Sequence, residues 1–481
     1  MKLKDVLAGV PVLESTANPE LEITGISYDS RTTKHGDLFV AVVGYTSDGH
    51  DYIERARQAG AAAVLCQRDA DGLPYILTKD SRRALAILSA NWFGHPADSM
   101  VMTAVTGTNG KTTTTYLLKA ILEQALGARV GLIGTNQNMI GGEALPTERT
   151  TPESFEVQKL FARMRDAGCT HVVMEASSHA LYEDRLYGVH FKTGIFTNLT
   201  QDHLDFHKTM EAYCDAKAIL FQNCEVGVVN ADDPWTERLL KGASCRRYSY
   251  AERTEADLRA EDVQLGADCT AFTAVTKEQR VPIKVGIPGK FMVYNTLDVL
   301  GAALQLGVPL EESARILAAV PHVKGRVEVV PTPGKDYTIL IDYAHSPDGL
   351  SNVLSSVKGF AKGRTVAVFG AGGDRDKTKR PKMGRIAADI ADFVVVTSDN
   401  PRTEVPGDII RDILVGMEGT DTPYVVVENR VEAIHWAMDH AEKDDVIVLC
   451  GKGHETYQIV GTVKHHMDER EIVADWLAKK S

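Results

Sequence analysis

The feature that most constrains the fold of this chain is an apolar segment that ends in a glycine-containing loop and is followed by a helical pattern. Residues 101–106 are apolar or β-branched and include no charged side chain, which is typical of a buried strand. The loop 107–113 follows as Gly-Thr-Asn-Gly-Lys-Thr-Thr, and apolar side chains then recur at helical spacing up to Ala125. A strand, a tight loop and a helix in this order bring backbone amides and a helix N-terminus together, which favours binding of phosphate.

The residue types in this loop indicate a nucleoside triphosphate with Mg²⁺. Lys111 can reach the outer phosphates, and the hydroxyl of Thr112 can bind Mg²⁺. The longer phosphate-loop pattern has a glycine five residues before Gly110, where this chain has Val105. A Gly-Lys-Thr triplet alone is more often an ordinary turn, and the flanking strand and helix are what favour a nucleotide site. We therefore predict nucleotide contacts from Gly107, Thr108, Asn109, Gly110, Lys111, Thr112 and Thr113.

Length and composition limit the classes of protein to consider. At 481 residues the chain should hold roughly two to four domains, and three is the expected number. No apolar run approaches the roughly 20 residues of a membrane span, and the N-terminus lacks the apolar region of a secretory signal. The seven cysteines include no Cys-x-x-Cys pair, so we expect reduced thiols in the cytoplasm, without disulfides or a zinc site. The net charge of −12 argues against nucleic acid as a partner.

Breaks in the pattern predict an α/β protein of three domains, at 1–98, 99–327 and 328–481. Glycine and proline break the helical pattern near 94–96 and mark the first boundary, and a Gly-Arg-Val-Glu segment marks the second at 325–328. The first domain is a small α/β module. The second, which opens with the phosphate loop, is a mainly parallel sheet flanked by helices, with an antiparallel excursion between residues 244 and 280.

The third domain alternates strands with helical stretches, which predicts a Rossmann-like parallel sheet. A dinucleotide site is not favoured there, since no Gly-x-Gly-x-x-Gly motif opens the domain. Its strands are expected at 338–341, 365–369, 393–397, 424–427 and 446–450.

Polar side chains follow two strands of the second domain. Residues 170–175 form a predicted strand that ends in Glu175, and carboxylates at such strand ends lie at the ligand crevice of open α/β sheets. Glu175 is therefore a candidate Mg²⁺ ligand, with an ordinary surface acid as the alternative. After the next strand, residues 202–207 contain two aspartates and two histidines, whose spacing fits no zinc motif.

Some of the remaining polar residues have a plain structural interpretation. Thr151 suits the N-cap of a helix with Pro152 at its first position and Gly168 at its end, which leaves Arg149 and Thr150 without a structural task. His207 is expected to be structural. Two arginines early in the chain are expected on a solvated helix face: Arg82 and Arg83.

Four polar clusters follow strands of the third domain, at 342–347, 372–376, 399–402 and 451–455. One such cluster could be turn chemistry. Four clusters, each directly after a strand, are better explained by a ligand site, because ligands of open α/β sheets bind outside the carboxyl ends of the strands.

Taken together, these motifs resemble the Mur ligases and their folylpolyglutamate synthetase relatives. The similarity rests on Thr-Gly-Thr-Asn-Gly-Lys-Thr-Thr at 106–113, Met-Glu-Ala-Ser-Ser-His at 174–179, Asp-Ser-Arg at 29–31 and the four clusters of the third domain, so it covers the whole chain. The resemblance implies an ATP-dependent ligase that works through an acyl phosphate. It implies UDP-MurNAc-L-Ala-D-Glu as acceptor, bound across the first two domains, with ATP between the last two, in a cytoplasmic monomer that makes peptidoglycan precursors.

The resemblance also implies roles for individual residues. ATP contacts beyond the loop are implied for Asn295, Arg326, Asp342 and His345. Contacts to the UDP-MurNAc-dipeptide are implied for Tyr28, Ser30, Tyr45, Thr46, Ser47, Arg149, Thr150, Thr151, Ser177, Glu183 and Arg185. The metal set would be Thr112, Glu175, His203 and Lys217, and the catalytic set Lys111, Glu175, His203 and Lys217.

Lys217 lies between apolar residues of a predicted helix, where a lysine usually extends its ammonium to solvent. The resemblance implies instead that Lys217 is N6-carboxylated. The chemistry is consistent, because burial lowers the pKa of a lysine and a neutral amine can add CO₂. The carbamate would then offer an anionic oxygen to Mg²⁺.

The segment Asp399-Asn400-Pro401-Arg402 bears on the amino acid that is added. In the family this form goes with meso-diaminopimelate, whose second carboxylate Arg402 can bind bidentately, while lysine-adding members carry another residue there. Arg402 as a solvated turn residue is the alternative. The further contacts implied for diaminopimelate are Arg375, Asp399, Asn400, Pro401, Gly451 and Glu455.

Two other functions stay open at this point. One is a ligase of the same architecture that adds L-lysine or another amino acid. The other is a nucleotide-dependent switch or motor without ligase chemistry, which would not need the four clusters of the third domain.

Overall fold

The strands of the chain form three sheets that follow one another along the sequence. The structure, a computed structural model, describes residues 1–44, 47–68, 72–147, 149–266, 269–320 and 323–480. Within these ranges the sheets have five, eleven and six strands, and a separate two-stranded hairpin lies near the C-terminus. The predicted α/β class is confirmed. The predicted boundaries at 98 and 327 lie between the sheets and stay predictions.

The first sheet has the order β1-β5-β4-β3-β2 and is parallel except for β1, which runs antiparallel to β5. Helix α3 begins after Asp80, whose carboxylate accepts hydrogen bonds from the backbone amides of Arg82 and Arg83. The strands are β1 Val12–Ser15, β2 Gly25–Ser27, β3 Asp37–Val40, β4 Ala63–Cys66 and β5 Tyr75–Thr78, and the helices are α1 Leu3–Val6, α2 Ile53–Gln58 and α3 Ser81–Phe93.

The second sheet has the order β16-β15-β14-β13-β12-β11-β6-β10-β7-β8-β9. Its centre is parallel and both edges are antiparallel. The antiparallel excursion expected at 244–280 is present in β14–β16, whereas β13 is parallel to both of its neighbours. The strands are β6 Val101–Thr106, β7 Val130–Ile133, β8 Asn138–Ile140, β9 Glu143–Leu145, β10 His171–Glu175, β11 Phe191–Phe196, β12 Cys224–Asn230, β13 Arg246–Ala251, β14 Leu258–Leu265, β15 Thr270–Val275 and β16 Arg280–Val285. The helices are α4 Lys111–Leu126, α5 Ser154–Asp166, α6 Ser178–Tyr182, α7 Leu204–His207, α8 Met210–Ala218, α9 Thr236–Leu239, α10 Phe291–Gln305 and α11 Leu310–Leu317.

Helix α4 is held firmly against this sheet by its apolar face. Leu117, Leu118, Ile121 and Leu122 are fully buried in one core with residues of α10 and α11. Burial of each such side chain contributes about 2 kcal/mol. Because only residues 107–110 separate the end of β6 from the first turn of α4, this packing fixes the position of the loop between them.

The third sheet has the order β17-β18-β22-β19-β20-β21. The five expected strands are parallel and agree with the structure to within one residue at each end, while the antiparallel edge strand β17 was not predicted. The strands are β17 Glu328–Val330, β18 Thr338–Asp342, β19 Thr365–Phe369, β20 Phe393–Val396, β21 Tyr424–Val426, β22 Val446–Cys450, and the hairpin β23 Tyr457–Val460 with β24 Val463–His466. The helices are α12 Pro347–Lys358, α13 Lys379–Ile390, α14 Pro406–Met417, α15 Arg430–Asp439 and α16 Glu469–Lys480.

Among the helices that the structure describes, none has both the length and the apolar character needed to cross a bilayer.

Candidate active site

The loop between β6 and α4 depends on its two glycines. Gly107 has φ 147° and Gly110 has φ 90°, conformations that residues with a side chain rarely adopt. A Cβ on Gly107 would also lie 1.9 Å from Thr197 Oγ1, and one on Gly110 would lie 2.4 Å from Asn295 Oδ1. Val105, at the place of the missing third glycine, pairs with β10 and β11 inside the sheet. The short form of the loop therefore follows from its strand, which continues one residue beyond that position.

Lys111 bonds back to its own loop in this structure. Its ammonium donates hydrogen bonds to the carbonyl oxygens of Gly107, at 2.8 Å, and Thr108, at 2.7 Å. Burial lowers the pKa of Lys111 below its usual value, against the attraction of Glu175 and Asp202. The backbone amide of Thr108 donates to Asn198 O at 2.8 Å, which ties the loop to the end of β11. Thr112 and Thr113 are buried in the first turn of α4.

Glu175 lies at the carboxyl end of β10, beside the loop. Its side chain is almost fully buried and accepts hydrogen bonds from Thr112 Oγ1 at 2.9 Å, Thr135 N at 3.0 Å and Thr135 Oγ1 at 2.8 Å. Arg326, from the segment that leads to the third sheet, donates to the same Thr112 hydroxyl at 3.0 Å. The structure thus brings Thr112, Glu175 and Arg326 together beside the phosphate loop.

The donor chemistry fits Mg²⁺ carried by a nucleotide better than a cage built from protein alone. The described part of the chain has no group of three or more His, Cys, Asp or Glu placed to hold a metal. Thr112 and Glu175 instead offer a hydroxyl and a carboxylate, the oxygen ligands that Mg²⁺ prefers, and Mg²⁺ usually takes its other ligands from phosphates and water.

Lys217 approaches the loop from α8. Its side chain is almost fully buried, its ammonium donates to Gly107 O at 2.9 Å, and it lies 4.4 Å from the centre of the Tyr213 ring. No ion pair is formed by Lys217 within the described residues. Burial and then the charge of Lys111 lower the pKa of Lys217 well below its usual value. Lys217 therefore does not extend its ammonium to solvent, which was the alternative to carboxylation, and the buried amine that carboxylation requires is present.

The histidines near Lys217 differ in their surroundings. His203 caps α7 with φ 54°, and its ring lies 4.8 Å from that of His179. Burial lowers the pKa of His203 to about 4, so the imidazole is neutral near pH 7. His207 is buried and its Nε2 lies 2.9 Å from Ser178 Oγ, which agrees with a structural role.

The other implied ATP residues lie on both sides of the loop. Asn295 on α10 lies against Gly110. Asp342, at the end of β18, accepts hydrogen bonds from the amides of Val327 at 2.9 Å and Ala344 at 2.8 Å. His345 is exposed and its Nδ1 lies 2.8 Å from Tyr343 O. Among the described contacts, none joins Asp342 or His345 directly to the loop, so only Asn295 and Arg326 touch it here.

A cleft of about 1060 Å³, the larger cleft, separates the first sheet from α5. Its lining includes four of the residues for which the resemblance implies contacts to the UDP-MurNAc-dipeptide: Tyr28, Ser30, Ser47 and Arg149. The Tyr28 hydroxyl donates to Glu156 Oε2 at 2.6 Å and so links the two sides. Tyr45 and Thr46, which the resemblance also implies as contacts in the first domain, lie outside the described residues.

Arg82 also lines the larger cleft, so its expected place on a solvated helix face is wrong. Its guanidinium nitrogens lie 3.6 Å from Glu153 and 3.4 Å from Glu183, carboxylates in the connections between strands of the second sheet. Arg83 is exposed, as expected, and pairs with Asp184 at 3.2 Å. Nothing in the local sequence distinguishes these neighbouring arginines; only the approach of the second sheet does.

A second cleft of about 600 Å³, the smaller cleft, lies between the second and third sheets. One wall carries Thr150, Thr151, Ser177 and Arg185, and Glu455 lies on the other. Arg185 donates to Thr151 O at 2.9 Å and to Glu183 Oε2 at 2.5 Å. Residues implied for the peptide end of the acceptor thus face a residue implied for the amino acid.

Thr151 is not a helix cap, and that prediction is wrong. Helix α5 begins at Ser154 and its N-cap is Glu153. The Thr151 hydroxyl instead donates to Glu175 O at 2.7 Å and accepts from the amide of Ser177 at 3.1 Å. Thr150 Oγ1 lies 2.9 Å from Thr135 Oγ1, which in turn contacts Glu175. Both threonines therefore connect the smaller cleft with the carboxylate beside the phosphate loop.

The residues implied for the amino acid meet at the ends of β20 and β22. Asn400 Nδ2 donates to Glu455 Oε2 at 3.0 Å, and a Cβ on Gly451 would lie 2.6 Å from Asp399 Oδ2. The hub of this cluster is Lys452, which sequence reasoning did not select. Its place between two glycines after a buried strand is a sequence feature that could have indicated it.

Arg402 is fixed beside this cluster by its backbone. It has φ 52°, its amide donates to Ile459 O in the hairpin at 3.1 Å, and Nη1 donates to Gly373 O at 2.8 Å. Arg375 is exposed, and both arginines flank Gly372, whose Cβ would lie 3.0 Å from Arg402 Nη1 and 3.8 Å from Arg375 Cγ. Pro401 completes the turn between Asn400 and Arg402. The structure thus brings all seven implied residues to one end of the third sheet.

Three family models match consecutive parts of the chain. They are described as Mur ligase family, catalytic domain, at residues 22–94; Mur ligase middle domain, at 105–303; and Mur ligase, glutamate ligase domain, at 325–453.

Curated relatives are similar over nearly the whole length. The UDP-N-acetylmuramoyl-L-alanyl-D-glutamate–2,6-diaminopimelate ligase of Clostridium botulinum is 48% identical over 94% of this chain and 95% of its own. The protein of the same name from Bacillus cereus is 42% identical over 95% and 94%.

Solved structures share the fold. A structure of a UDP-N-acetylmuramoyl-L-alanyl-D-glutamate–2,6-diaminopimelate ligase is 30% identical, covers 100% of this chain and 99% of its own, and has a TM-score of 0.73. Mycobacterium tuberculosis folylpolyglutamate synthase complexed with ADP is 18% identical, covers 77% and 91%, and has a TM-score of 0.62. With family models matching all three parts and relatives this similar over nearly its full length, the chain belongs to the Mur ligase family.

Proposed function

We propose that this chain is an ATP-dependent ligase that joins meso-diaminopimelate to UDP-MurNAc-L-Ala-D-Glu in peptidoglycan precursor synthesis. The observation that carries this proposal is the smaller cleft. It has Thr150, Ser177 and Arg185 on one wall and Glu455 of the amino-acid cluster on the other. Two acidic substrates that must be joined need such a shared space, and a nucleotide switch does not.

The acceptor would occupy both clefts. Its uridine and sugar fit the larger cleft, where Tyr28, Ser30 and Ser47 line one side and Arg149 the other. Its peptide end would reach the smaller cleft beside Thr151 and Ser177. This path leads the terminal carboxylate toward Glu175 and the phosphate loop, because Thr151 bonds to the backbone of Glu175.

The reaction follows from that placement. The γ-carboxylate of the acceptor attacks the γ-phosphate of ATP, giving an acyl phosphate and ADP. The amine of diaminopimelate then attacks the acyl carbon, the C–O bond to phosphate breaks, and the nitrogen loses its proton as the amide forms. Catalysis of this type relies on positioning and on neutralising phosphoryl charge.

The chain's own residues supply most of that charge. Lys111 and Arg326 are the cations proposed to contact the phosphates, and Lys111 must leave the carbonyls of Gly107 and Thr108 to reach them. Thr112 and Glu175 would hold one Mg²⁺, and His203 with a carbamate on Lys217 would help to hold a second. The bound ions would supply positive charge to the phosphate oxygens. Glu175 is prepared for this by the hydrogen bonds of Thr112 and Thr135, which fix its oxygens.

Diaminopimelate would bind by the end that does not react. Arg402 and Arg375 face its carboxylate, while Asp399, Asn400 and Glu455 face its ammonium. L-Lysine has no carboxylate at that end, so the two arginines would meet no partner.

Closure of the third domain over the second would expel water from the smaller cleft before the acyl phosphate forms. Since ATP is a cytoplasmic compound, we place the enzyme in the cytoplasm. We further propose that it is a monomer and that its domain boundaries lie near residues 98 and 327.

An amino-acid panel tests the proposal. The purified chain is given ATP, Mg²⁺, UDP-MurNAc-L-Ala-D-Glu and one of meso-diaminopimelate, L-lysine, L-ornithine or no amino acid. Phosphate release and the mass of the nucleotide product are measured. We expect the tripeptide nucleotide only with meso-diaminopimelate. A product with L-lysine at equal efficiency would assign another ligase of the family, and ATP hydrolysis that is the same without amino acid would support the switch.

A further inference from the structure

Lys452 is fully buried at the centre of the amino-acid cluster, although a lysine is rarely buried without partners. Its ammonium donates to Asn400 Oδ1 at 2.6 Å, Tyr457 O at 2.7 Å and Glu455 Oε2 at 3.1 Å, and it lies 3.4 Å from Asp399 Oδ1. An ammonium has three donors, so all of them are used. Two of the three acceptors are side chains proposed to bind diaminopimelate.

The backbone around Lys452 is shaped to deliver this side chain to the cluster. Gly451 has φ 112° and Gly453 has φ 53°. A Cβ on Gly453 would lie 2.6 Å from Tyr343 Cβ, so this turn is packed tightly against the segment that follows β18. The lysine is therefore placed by a turn that tolerates no other residue on either side of it.

Lys452 also connects the cluster to the hairpin that holds Arg402. Asn400 Oδ1, its closest acceptor, also accepts from the amide of Ile459 at 2.8 Å, and Ile459 O accepts from the amide of Arg402. Because one ammonium bonds to Asn400 and to the hairpin residue Tyr457, its loss would disturb both groups of contacts together.

The charges in the cluster leave room for one cation. Asp399 and Glu455 carry two negative charges and Lys452 one positive charge, so one negative charge remains. Burial alone would raise the pKa of Asp399, but the charges of Lys452 and Arg430 outweigh it and lower that pKa below its usual value. Behind Lys452, Arg430 and Glu469 form a fully buried ion pair at 2.8 Å, which is neutral as a unit.

We propose that Lys452 is a positioning residue for the added amino acid. Its hydrogen bonds orient the side chains of Asn400 and Glu455. Its charge also reduces the net charge of their pocket to the single negative charge that one ammonium group of the substrate neutralises. This inference rests on the proposed function, in which the non-reacting end of the amino acid carries an ammonium and a carboxylate. Lys452 itself touches neither reacting atom.

The proposal predicts a pH effect. Without Lys452, the charge that holds down the pKa of Asp399 is lost and burial raises that pKa, so a proton taken up by Asp399 at lower pH restores the matching charge. The substrate ammonium then binds better at low pH than at high pH. The other titratable or charged groups that interact with Asp399 are Arg430 with Glu469, His345, Lys379, Tyr343 and Tyr457, and Arg402 acts on Tyr457.

The experiment compares the full-length chain with Lys452→Met, Lys452→Arg and the control Lys335→Met. Lys335 lies in the same part of the chain, 5.1 Å from the centre of the Trp476 ring, so its replacement removes one charge away from the cluster. KM values for meso-diaminopimelate, ATP and the nucleotide substrate are measured at about pH 6.5 and about pH 9. Thermal melting checks that each variant is folded.

For Lys452→Met we expect the KM for diaminopimelate to rise on the order of 100-fold at the higher pH, with the KM for ATP unchanged within about threefold. The ratio to the wild-type KM should be smaller at the lower pH. Lys452→Arg should raise the KM about 10-fold without this pH effect, because a planar guanidinium keeps the charge and cannot match the three acceptors. Lys335→Met should behave as the wild type.

An unchanged KM for diaminopimelate in Lys452→Met, an equal rise for all three substrates, or a rise that is the same at both pH values would overturn the proposal. If Lys452→Met does not fold, Lys452→Arg decides, and a wild-type KM for diaminopimelate in that variant overturns it as well. A wild type that forms no tripeptide nucleotide would instead defeat the proposed function. The two failures are therefore distinguishable.

Discussion

The ammonium groups of Lys111 and Lys217 share one acceptor, the carbonyl oxygen of Gly107, at 2.8 and 2.9 Å. Two cations beside one carbonyl repel each other, and burial makes the charged form of each more costly. For both residues burial is the main cause that lowers the pKa. A carbamate on Lys217 would turn the repulsion into attraction, and it would place an anionic oxygen beside the phosphate loop.

The first prediction is that Lys217 carries this modification. Lys217→Ala should reduce activity on the order of 100-fold or more, since a metal-binding oxygen is lost, and added formate or acetate should restore part of it. Intact-protein mass spectrometry under mild conditions should show the mass of one added CO₂. Lys192→Ala, which removes an exposed lysine paired with Glu225, is the control and should retain full activity.

A free amine at Lys217 in the active protein, together with no recovery of Lys217→Ala by any short carboxylic acid, would contradict this prediction. The buried amine would then serve only as a hydrogen-bond donor to Gly107.

The second prediction concerns Arg402 and the choice of amino acid. Arg402→Ala should raise the KM for meso-diaminopimelate on the order of 100-fold and leave the KM for ATP unchanged, because a bidentate contact to one carboxylate is lost. Arg385→Ala is a suitable control, since Arg385 forms an exposed pair with Asp389 on α13. Equal losses for diaminopimelate and ATP in Arg402→Ala would show that Arg402 supports the fold rather than the substrate.

The parallel sheets were predictable because their strands are continuous apolar runs. The expected strand at 365–369 matches Thr365–Phe369, and 446–450 matches Val446–Cys450, since each is buried on both faces. The three-residue edge strand Glu328–Val330 has no such pattern and forms only because β18 offers it a partner. Periodicity therefore predicts the centre of a sheet better than its edges.

The site was predictable where a residue's place depends on its own strand or loop. Glu175 ends a strand and Gly110 directly precedes a helix, and the sequence around each residue predicts both positions. Thr151, Arg82 and Lys452 were misjudged or missed, because their partners come from distant parts of the chain. Glu183, for instance, contacts Arg82 across 101 residues of sequence. Only the tertiary structure can reveal such a pair.

The third prediction is a loss of stability in mild acid that depends on His207. Burial lowers the pKa of His207 to about 4 in the folded chain, against about 6.5 when unfolded. The folded state thus binds a proton at His207 less readily than the unfolded state does. The contribution of neutral His207 to the free energy of unfolding is therefore fully present above about pH 6.5 and is lost as the pH falls toward about 4. The loss attributable to His207 is at most about 3 kcal/mol.

Thermal melting of wild type and His207→Gln between these pH values measures the effect. The variant can keep a hydrogen bond to Ser178 but does not titrate, so its midpoint should fall less steeply with acid. His190→Gln, at an exposed position, is the control and should follow the wild type. Parallel curves for wild type and His207→Gln would assign the acid sensitivity to other groups.

The fourth prediction concerns Asp298, a fully buried carboxyl that holds the phosphate-loop helix. Both of its oxygens lie 3.0 Å from Thr114 Oγ1, and burial raises its pKa well above the usual value. The folded chain therefore retains a proton that the unfolded chain releases above about pH 4, and Asp298 costs stability as the pH rises beyond that value. Asp298→Asn removes this cost and keeps the shape of the side chain. Its melting midpoint should exceed that of the wild type by a few degrees near pH 8, with a smaller difference near pH 5.

Thr114→Val separates this charge effect from the hydrogen bond itself. It leaves the carboxyl of Asp298 buried without its hydroxyl partner, so the midpoint should fall at both pH values, by the equivalent of about 1–3 kcal/mol. Because α4 carries Lys111 and Thr112 in its first turn, the KM for ATP should rise in Thr114→Val but stay unchanged in Asp298→Asn. If Asp298→Asn melts below the wild type at pH 8, the carboxyl is charged in the folded chain, and the helix is held by that charge rather than by a neutral hydrogen bond.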